Sequence, residues 1–366
     1  MNMMNGRALL ALVILAITLP VSPPAQAAKI AKLYEIRLPV TDQQRNKRFG
    51  AYREALEMLL VRITGDPTIS AKPGIEDMLK APLSYLSRFN YSDLPTRWEG
   101  KRNDKKQLYT QQIEISFDEN AINKKLRELK LPIWSSTRPS VLMWIVVQDE
   151  EMGRTILDEN QGGPLIEAIM DEAEIRGVPL LFPLWDLQDQ LLVTTEDIWA
   201  NFDTGVLDAS KRYDADTIVI GRVSRDLDGK WQSRWTLHLD SEQLRLEAEG
   251  KEAAPVIIAS LNAVTDQLAK RFAHVTDDEQ SAEYLVHVKN LSTLEAYMKA
   301  SKYLDSLEPV QAVRVDSVES DNATFRVKLR TDRKGLEKAI SLGAVLLATN
   351  EDKDFQLEQH FYYKLR

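Results

Sequence analysis

The sequence of 366 residues contains no cysteine and only four histidines. Without cysteine, the chain cannot form disulfide bonds, perform thiol catalysis or bind metal through thiolates. The histidines are far apart in the sequence, and none belongs to a His-Glu-x-x-His arrangement, which would place two ligands on one helix face. We therefore predict no metal site and no cofactor. The four histidines are His238, His274, His287 and His360.

Motifs of nucleotide binding and nucleophilic catalysis are missing as well. Gly162-Gly163-Pro164 lacks the lysine and the glycine spacing of a phosphate-binding loop, so we interpret it as the start of a helix. No Gly-x-Ser-x-Gly segment is present. Asp226 and Asp228 accompany an Asp-Gly dipeptide, which is typical of a turn rather than of a catalytic carboxylate pair. We therefore do not expect an enzyme, and the sequence identifies no catalytic residue.

Residues 1–27 have the composition of an export signal. Arg7 lies in a short basic amino-terminal region, residues 8–19 are apolar, and Ala25-Gln26-Ala27 has the small side chains that signal peptidase requires. We expect cleavage near Ala27 and a mature protein outside the cytoplasm. An uncleaved anchor is the alternative, but the apolar run is shorter than the ~20 residues of a spanning helix. Because no cysteine follows the cleavage site, lipid attachment there is excluded.

The balance of charge changes along the chain, whose formal net charge is −8. Residues 28–137 carry 20 basic and 14 acidic side chains, residues 139–276 carry 12 and 25, and residues 277–366 carry 13 and 16. A proline-bracketed connection at 131–139 and a charged one at 277–279 lie where the balance changes. Nucleic acid is not an expected partner of an exported acidic protein. We predict three domains, over residues 28–137, 138–276 and 277–366.

The first predicted domain belongs to the α+β class. Alternating apolar residues predict strands at 33–38 and 108–117. Apolar residues spaced by three and four predict a helix over residues 43–63, which Gly65 ends. Further helical stretches are expected at 75–89, with an interruption at Pro82, and at 118–129.

The middle predicted domain is a three-layer α/β unit with a mixed sheet. Apolar strands at 141–147, 178–184 and 217–223 are separated by helices at 164–176 and 196–213. This order predicts parallel strands with right-handed crossovers. The alternating pattern that follows the Asp-Gly dipeptide predicts an antiparallel meander at one edge of the sheet.

Residues 231–240 alternate so regularly that the two faces of this predicted strand can be distinguished. Trp231 and Trp235 share a face with leucines, which favours core packing over a stacking surface for ligands. His238 lies on the opposite, polar face, and we expect it to be solvated.

The last predicted domain is a small ferredoxin-like α+β unit. Strands are expected at 283–289, 310–318 and 323–329, with helices at 292–306 and 332–341. This repetition of strand, helix and strand is typical of that fold. Two short strands complete the unit near 344–348 and 356–364.

A basic turn is the strongest candidate for a surface contact. Lys101, Arg102, Lys105 and Lys106 lie close together in the sequence, with Trp98 beside them. Such a turn could bind acidic headgroups, an acidic glycan or an acidic domain of a partner. The alternative is a solvated hairpin tip without a binding role.

Residues 45–67, which read RNKRFGAYREALEMLLVRITGDP, resemble the opening helix of the bacterial domain of unknown function 2066. The segments PSVLMWIVVQDE and GVPLLFPLWDLQD resemble its continuation, so that the resemblance extends over residues 30–275. It implies a Gram-negative envelope setting and carries no activity, because the shared motifs are structural.

The segment YDADTIVIGRV, at residues 213–223, is similar to a second and broader pattern when taken with Trp235-Thr236-Leu237. TolB amino-terminal domains and the curli-secretion or penicillin-binding-protein activator lipoproteins contain such a strand before an alternating meander. Those domains bind protein partners, so the resemblance implies a binding module. The chain differs from the lipoproteins because it lacks the acylated cysteine.

These expectations describe a soluble periplasmic protein that is a non-enzymatic binding or assembly factor of the Gram-negative cell envelope. Its expected partner is an envelope protein, and no stable transmembrane anchor is expected. The alternative is a periplasmic protein that binds a small ligand or anion at the helix-rich end of the middle sheet. The sequence does not indicate an oligomeric state.

Overall fold

The computed structural model describes residues 28–102, 105–149, 153–158, 163–239, 242–276, 282–343, 345–349 and 359–366. The expected export segment, residues 1–27, lies outside these described residues. Three larger sheets, each with helices packed against it, make the protein a mixed α+β and α/β chain, which confirms the predicted fold class. No helix within the described ranges is both long enough and apolar enough to cross a membrane.

The first unit has a three-stranded antiparallel sheet in the order β2-β4-β3. Helix α1 packs on this sheet through buried apolar side chains such as Leu56, Leu59 and Ile63. Gly65 ends the helix with a φ of 70°, a conformation that glycine adopts without strain. The strands are β1 (Ala28–Lys29), β2 (Glu35–Val40), β3 (Leu86–Arg102) and β4 (Lys105–Phe117), and the helices are α1 (Arg45–Thr64), α2 (Ile75–Lys80) and α3 (Glu119–Glu128).

The helix predicted over residues 75–89 is wrong beyond Lys80. Pro82 begins a short 3-10 turn, Pro82–Tyr85, and the chain then enters β3 at Leu86. Proline has no backbone N–H and clashes with a preceding helical turn, so α2 ends before it. The alternation of Phe89 and Tyr91 with polar neighbours was the available signal for the missed strand.

The middle unit has a sheet in the order β12-β11-β10-β7-β8, with β9 also paired to β7. Strand β7 is parallel to β9 and β10, and the other pairs are antiparallel, which confirms the mixed sheet and its meander. The strands are β5 (Pro132–Ile133), β6 (Thr137–Arg138), β7 (Val141–Asp149), β8 (Gly153–Ile156), β9 (Leu180–Leu181), β10 (Thr217–Arg225), β11 (Trp231–Leu239), β12 (Glu242–Gly250) and β13 (His274–Val275). The helices are α4 (Pro164–Arg176), α5 (Leu187–Leu192), α6 (Thr195–Ala200), α7 (Asp203–Ser210) and α8 (Ala253–Phe272).

Helices cover both faces of this sheet, as a three-layer unit requires. Side chains of α4 and α8 form one core with Met143 and Val219, and side chains of α6 and α7 form the other with Trp144 and Ile220.

Two element boundaries of the middle unit differ from prediction. The helix expected at 196–213 is divided into α6, α7 and a 3-10 turn, because Asn201 adopts a left-handed φ of 60°.

The strand expected at 178–184 forms ladder pairs only at Leu180–Leu181 among the described residues. Pro179 and Pro183 flank this short strand. Each removes a backbone N–H, and proline is tolerated mainly at the edges and starts of strands. The apolar run therefore predicted the position of β9 and overestimated its length.

The last unit has a sheet in the order β15-β16-β14-β18-β17. Its βαββα part follows the predicted ferredoxin-like order, and both helices pack on one face through a core that includes Val286, Phe325 and Phe361. Strand β18 is parallel to β14 and lies between β14 and β17. Strands β17 and β18 pair in the antiparallel direction and add a hairpin to the predicted order. The strands are β14 (Ala282–Lys289), β15 (Val310–Glu319), β16 (Asn322–Leu329), β17 (Leu346–Ala348) and β18 (His360–Leu365), and the helices are α9 (Leu294–Asp305) and α10 (Arg333–Leu342).

The connection at residues 131–139 is packed against both neighbouring units. Trp134 and Arg138 are buried, and the Arg138 guanidinium lies 4.1 Å from the centroid of the Trp134 ring. Strand β6 pairs with β1, and β5 pairs with β13 from the far end of the middle unit. The predicted boundary between residues 137 and 138 passes through β6, and the division into domains stays a prediction.

Candidate interaction site on the middle unit

The backbone places the predicted basic turn at the end of the β3–β4 hairpin. Lys101 is in register with Lys106, Arg102 with Lys105, and Trp98 with Tyr109. Residues 103–104 and the side chains of the predicted interaction residues at this end lie outside the described part of the structure. The proposed contact at Trp98, Lys101, Arg102, Lys105 and Lys106 therefore stays a prediction.

The fold brings together two histidines that are far apart in the sequence. The Nε2 atom of His287 lies 2.9 Å from Nδ1 of His360, and Nδ1 of His287 lies 3.0 Å from Oγ1 of Thr324. The ring of Tyr362 stacks on that of His287 with 4.8 Å between centroids. Within the described ranges, no group of three or more histidine and carboxylate side chains is placed to hold a metal ion.

The sequence interpretation of Asp226 as a turn residue is confirmed. One carboxylate oxygen of Asp226 accepts hydrogen bonds from the backbone N–H groups of Asp228 and Lys230, each 2.9 Å long. Gly229 adopts a φ of 78°, as a hairpin turn requires. Asp226 therefore fixes the register of the β10–β11 hairpin, on which part of the candidate site lies.

A set of exposed apolar side chains, which we call the leucine patch, lies on the α5–α7 layer. Its members are Leu184, Leu187, Leu191, Leu192 and Phe202, and each is between 41% and 77% exposed. Leu187 and Leu191 are four residues apart on α5 and so lie on one helix face. Neighbouring exposed apolar side chains, such as these two leucines, are typical of an interaction surface.

A buried carboxylate holds the leucine patch in place. Asp189 is fully buried, although it lies between the exposed leucines of α5. It accepts hydrogen bonds from the backbone N–H of Trp185 at 3.0 Å, from the Tyr213 hydroxyl at 2.5 Å and from Nη1 of Arg212 at 3.1 Å. These contacts connect α5 to the 3-10 turn after α7, so the exposed leucines are carried by a well-anchored helix.

Asp186 adds a second connection between α5 and that turn. Its carboxylate accepts a hydrogen bond from the backbone N–H of Asp189, and this bond caps the start of α5. It also accepts hydrogen bonds from both terminal nitrogens of Arg212, at 2.7 Å and 2.8 Å. The hydrogen bond from Arg212 is the largest cause that lowers the pKa of Asp186 to about 2. Burial, followed by the hydrogen bond to Asp189, raises the pKa of Tyr213, which keeps this hydroxyl protonated and donating.

A cavity of about 330 Å³, which we call the arginine groove, lies where α6 meets the meander. Arg222, Arg234 and Arg245 contribute to it from the successive strands β10, β11 and β12. Arg222 and Arg234 are directly opposite each other, so both project from the same face of the sheet. Trp199 of α6 and Asn201, which directly follows this helix, close one side of the groove.

The cations of the arginine groove are only partly neutralised. Arg222 donates a hydrogen bond to the backbone carbonyl of Trp199, and its guanidinium lies 5.6 Å from the centroid of that ring. Arg234 lies 3.8 Å from Glu247, and both side chains are more than half exposed, so this pair is weak. Among the described residues, Arg245 makes no ion pair.

The leucine patch and the arginine groove are adjacent. Residues 198–201 line the groove, and the next residue, Phe202, belongs to the patch. Leu192 of the patch is close to α7, because its carbonyl oxygen lies against Gly205 of that helix. One short segment at the end of α6 thus joins an apolar surface to a basic cavity.

His238 is half-buried, so the prediction of a solvated histidine is wrong. Its Nε2 atom lies 3.4 Å from a carboxylate oxygen of Asp203, at the start of α7. Burial lowers the pKa of His238, and Asp203 opposes that effect to a smaller extent. The alternation showed correctly which face of β11 His238 occupies, but it could not show that α7 covers this end of the strand.

Sequence reasoning missed both the leucine patch and the arginine groove. The signal for the groove was an arginine at a polar position in each of three successive strands, whose register depends on the Asp226 turn. The signal for the patch was a leucine-rich segment, residues 184–192, that is too short to bury all of its side chains in one helix.

Comparisons with known proteins give a family match to the first unit and a similarity to a solved structure. Residues 27–135 match the family described as "Domain of unknown function (DUF8605)". This match supports an uncharacterised domain over residues 27–135. The matched family differs from the domain of unknown function 2066, which residues 45–67 resemble. Among curated proteins, none matches the sequence. A solved structure titled "Crystal structure of uncharacterized protein" is 10% identical and covers 37% of this chain and 95% of its own, with a TM-score of 0.14.

Proposed function

We propose that the protein is a non-enzymatic binding or assembly factor of the Gram-negative cell envelope, and that it contacts an envelope protein through the leucine patch. The observation that carries this proposal is the exposure of Leu187 and Leu191 on a helix that the buried Asp189 anchors. An exposed apolar surface on a rigid scaffold is suited to association, because little order has to be gained on binding.

The energetics of the patch favour a partner. Full burial of a leucine or phenylalanine side chain stabilises by about 1.5–3 kcal/mol relative to exposure. The patch contains five such side chains, all of which remain partly in contact with water in this chain. A partner that covers them gains a substantial part of this energy, after the entropy lost on association is subtracted.

The location and the resemblances support the same proposal. Residues 1–27 have the pattern of an export signal, which favours a periplasmic protein. The resemblance of residues 45–67 to the domain of unknown function 2066 points to the envelope, and that of residues 213–223 to TolB amino-terminal domains points to protein binding. The 3-10 turn that anchors α5 overlaps the beginning of the second segment.

Photo-crosslinking in intact cells tests this proposal. A photoreactive amino acid in place of Leu191 is expected to form a discrete adduct with one envelope protein, whereas the same residue in place of Lys299, exposed on α9, is not. Absence of an adduct at position 191 contradicts the proposal, as does the same adduct at both positions.

A pair of variants separates binding from folding. Leu187→Ser combined with Leu191→Ser is expected to abolish capture of the partner while leaving the melting temperature almost unchanged, since both side chains are exposed. The control is Leu227→Ser, because Leu227 is even more exposed than these two leucines but lies at the β10–β11 turn. Equal capture by the double variant and by the control would remove the patch from the interface.

A further inference from the structure

We propose that the arginine groove binds a phosphate group. The groove brings the guanidinium groups of Arg222, Arg234 and Arg245 to one face of three adjacent strands, beside the wall formed by Trp199. Guanidinium groups present several N–H donors in a fixed plane and match the oxygens of phosphate closely. This inference stands independently of the proposed protein partner.

Two like charges face each other across β10 and β11. Arg222 and Arg234 are directly opposite in the antiparallel ladder, and like charges in such positions are destabilising. Arg245 lies diagonally from Arg234, because its own partner across the β11–β12 ladder is Thr236. An anion seated between these side chains converts the repulsion into attraction.

The arginine groove keeps an excess of positive charge. Among the described residues that line the cavity, Glu247 is the carboxylate, and it lies 3.8 Å from Arg234 with most of its side chain in water. Three cations and one exposed anion leave a local excess of two positive charges, within a region of the chain that is strongly acidic overall. A phosphate monoester carries about −1.5 to −2 charges at neutral pH, which matches this excess better than a single carboxylate does.

The arginine groove also has the size and the polar lining of a ligand site. The cavity of about 330 Å³ is within the size range of small-ligand sites. Arg222 donates to the carbonyl of Trp199, and a guanidinium has further N–H donors beyond the one that this carbonyl accepts. The hydroxyl of Thr236 and the amide of Asn201, which hydrogen-bond each other at 3.1 Å, complete a polar wall.

A phosphate group can belong to a free metabolite or to a lipid headgroup, and the binding experiment distinguishes them. Isothermal titration of the mature chain is carried out with inorganic phosphate and with glycerol 3-phosphate, at constant ionic strength with chloride as the balancing anion. Cosedimentation with vesicles that contain phosphatidic acid forms the lipid arm. Saturable binding of a soluble phosphate identifies a free ligand, and cosedimentation without soluble binding identifies a lipid phosphate.

Substitution of the arginines shows whether the groove is the site. Arg234→Gln combined with Arg245→Gln is expected to weaken binding by at least about tenfold, because charge-assisted hydrogen bonds to the phosphate are lost. The matched control, Arg314→Gln, changes an exposed arginine on β15 of the last unit and is expected to bind as the wild type does.

A second measurement is independent of the ligand. In phosphate-free buffer, Arg234→Gln alone is expected to raise the melting temperature, since it removes the repulsion opposite Arg222. Binding that is equal in the double variant and in Arg314→Gln overturns the proposal, as does the absence of binding in both the soluble and the vesicle arms. Partner capture at position 191 is measured in the same double variant, so that failure of this site and failure of the leucine patch are distinguished.

Discussion

Arg138 donates a hydrogen bond of 2.7 Å from Nη2 to the backbone carbonyl of Arg62 in the last turn of α1. Its Nη1 atom donates to the carbonyls of Arg176 and Gly177 at the end of α4, at 2.9 Å and 3.0 Å. All three carbonyls lie at helix carboxyl ends, where the helix dipole favours a cation. Burial lowers the pKa of Arg138 to about 9, so it remains charged at neutral pH and fixes the first unit to the middle one.

Replacing this arginine should destabilise the protein strongly. We expect Arg138→Met to lower the free energy of unfolding by about 3 kcal/mol or more, because several buried carbonyls lose their donor while the apolar stem is retained. Urea denaturation followed by tryptophan fluorescence measures this change. The matched control is Arg53→Met, an exposed position on α1, which should change stability by less than about 0.5 kcal/mol. Equal midpoints for both variants would contradict this role for Arg138.

Gly221 permits Trp235 to enter the core of the middle unit. A Cβ atom at position 221 would lie 2.3 Å from Cδ1 of Trp235, which is opposite it in the β10–β11 ladder and almost fully buried. We therefore expect Gly221→Ala to destabilise by about 1–3 kcal/mol through overpacking. Thermal unfolding measures the effect.

Gly50 provides the matched control for that substitution. It lies within α1, and a Cβ atom there would meet nothing within 4 Å. We expect Gly50→Ala to stabilise by about 0.5–1 kcal/mol, because alanine loses less backbone freedom than glycine in a helix. If both alanine variants moved the melting temperature in the same direction, the contact with Trp235 would not be the cause.

The pattern of apolar residues was sufficient to predict the fold class and most long elements. Helix α1 and strands β7 and β10 follow directly from it, since each buries a continuous stripe or run. Trp235 was placed in the core by alternation alone, and the structure confirms this placement. These features depend on local periodicity, which a sequence records directly.

The candidate site could not be predicted in the same way, because it depends on tertiary contacts. Arg222 and Arg245 are 23 positions apart and share a cavity only because the meander folds two hairpins in register. The burial of Asp189 within an exposed helix depends on Arg212 and Tyr213, which approach it from another turn. Spacing within a segment carries no information about such approaches.

The anchor of the leucine patch predicts a local effect of Asp189→Ala. This change leaves the Tyr213 hydroxyl and the N–H of Trp185 without their acceptor. We expect faster hydrogen exchange over residues 184–213, together with a loss of about 1–3 kcal/mol of stability for the unsatisfied groups. Exchange measured by mass spectrometry should change little in the last unit.

Asp208→Ala is the control for that exchange experiment. Asp208 pairs with Lys211 on the exposed side of α7 at 2.7 Å, and exposed pairs of this kind contribute little. Exchange over residues 184–213 should therefore remain close to that of the wild type. Similar exchange in the two variants would mean that Asp189 does not anchor α5.

Two half-buried histidines should make the protein sensitive to acid. Burial is the largest cause that lowers the pKa of both His238 and His274 below their ordinary value of 6.5. Lys338 lowers the pKa of His274 further, and carboxylates at Asp203 and Asp332 partly oppose these effects. Both imidazoles are therefore neutral in the folded chain at a pH at which the unfolded chain already binds protons.

The sign of the pH effect follows from that difference, because the state that binds more protons gains stability as the pH falls. The contribution of these two neutral imidazoles to the free energy of unfolding is fully present above pH 6.5. It is lost as the pH falls toward the lowered pKa values of the folded chain. We expect the melting temperature to fall between about pH 7.5 and pH 5.5, and to fall less in the His238→Gln, His274→Gln double variant, which cannot titrate there. An identical pH dependence in the variant and the wild type would assign acid sensitivity to other groups.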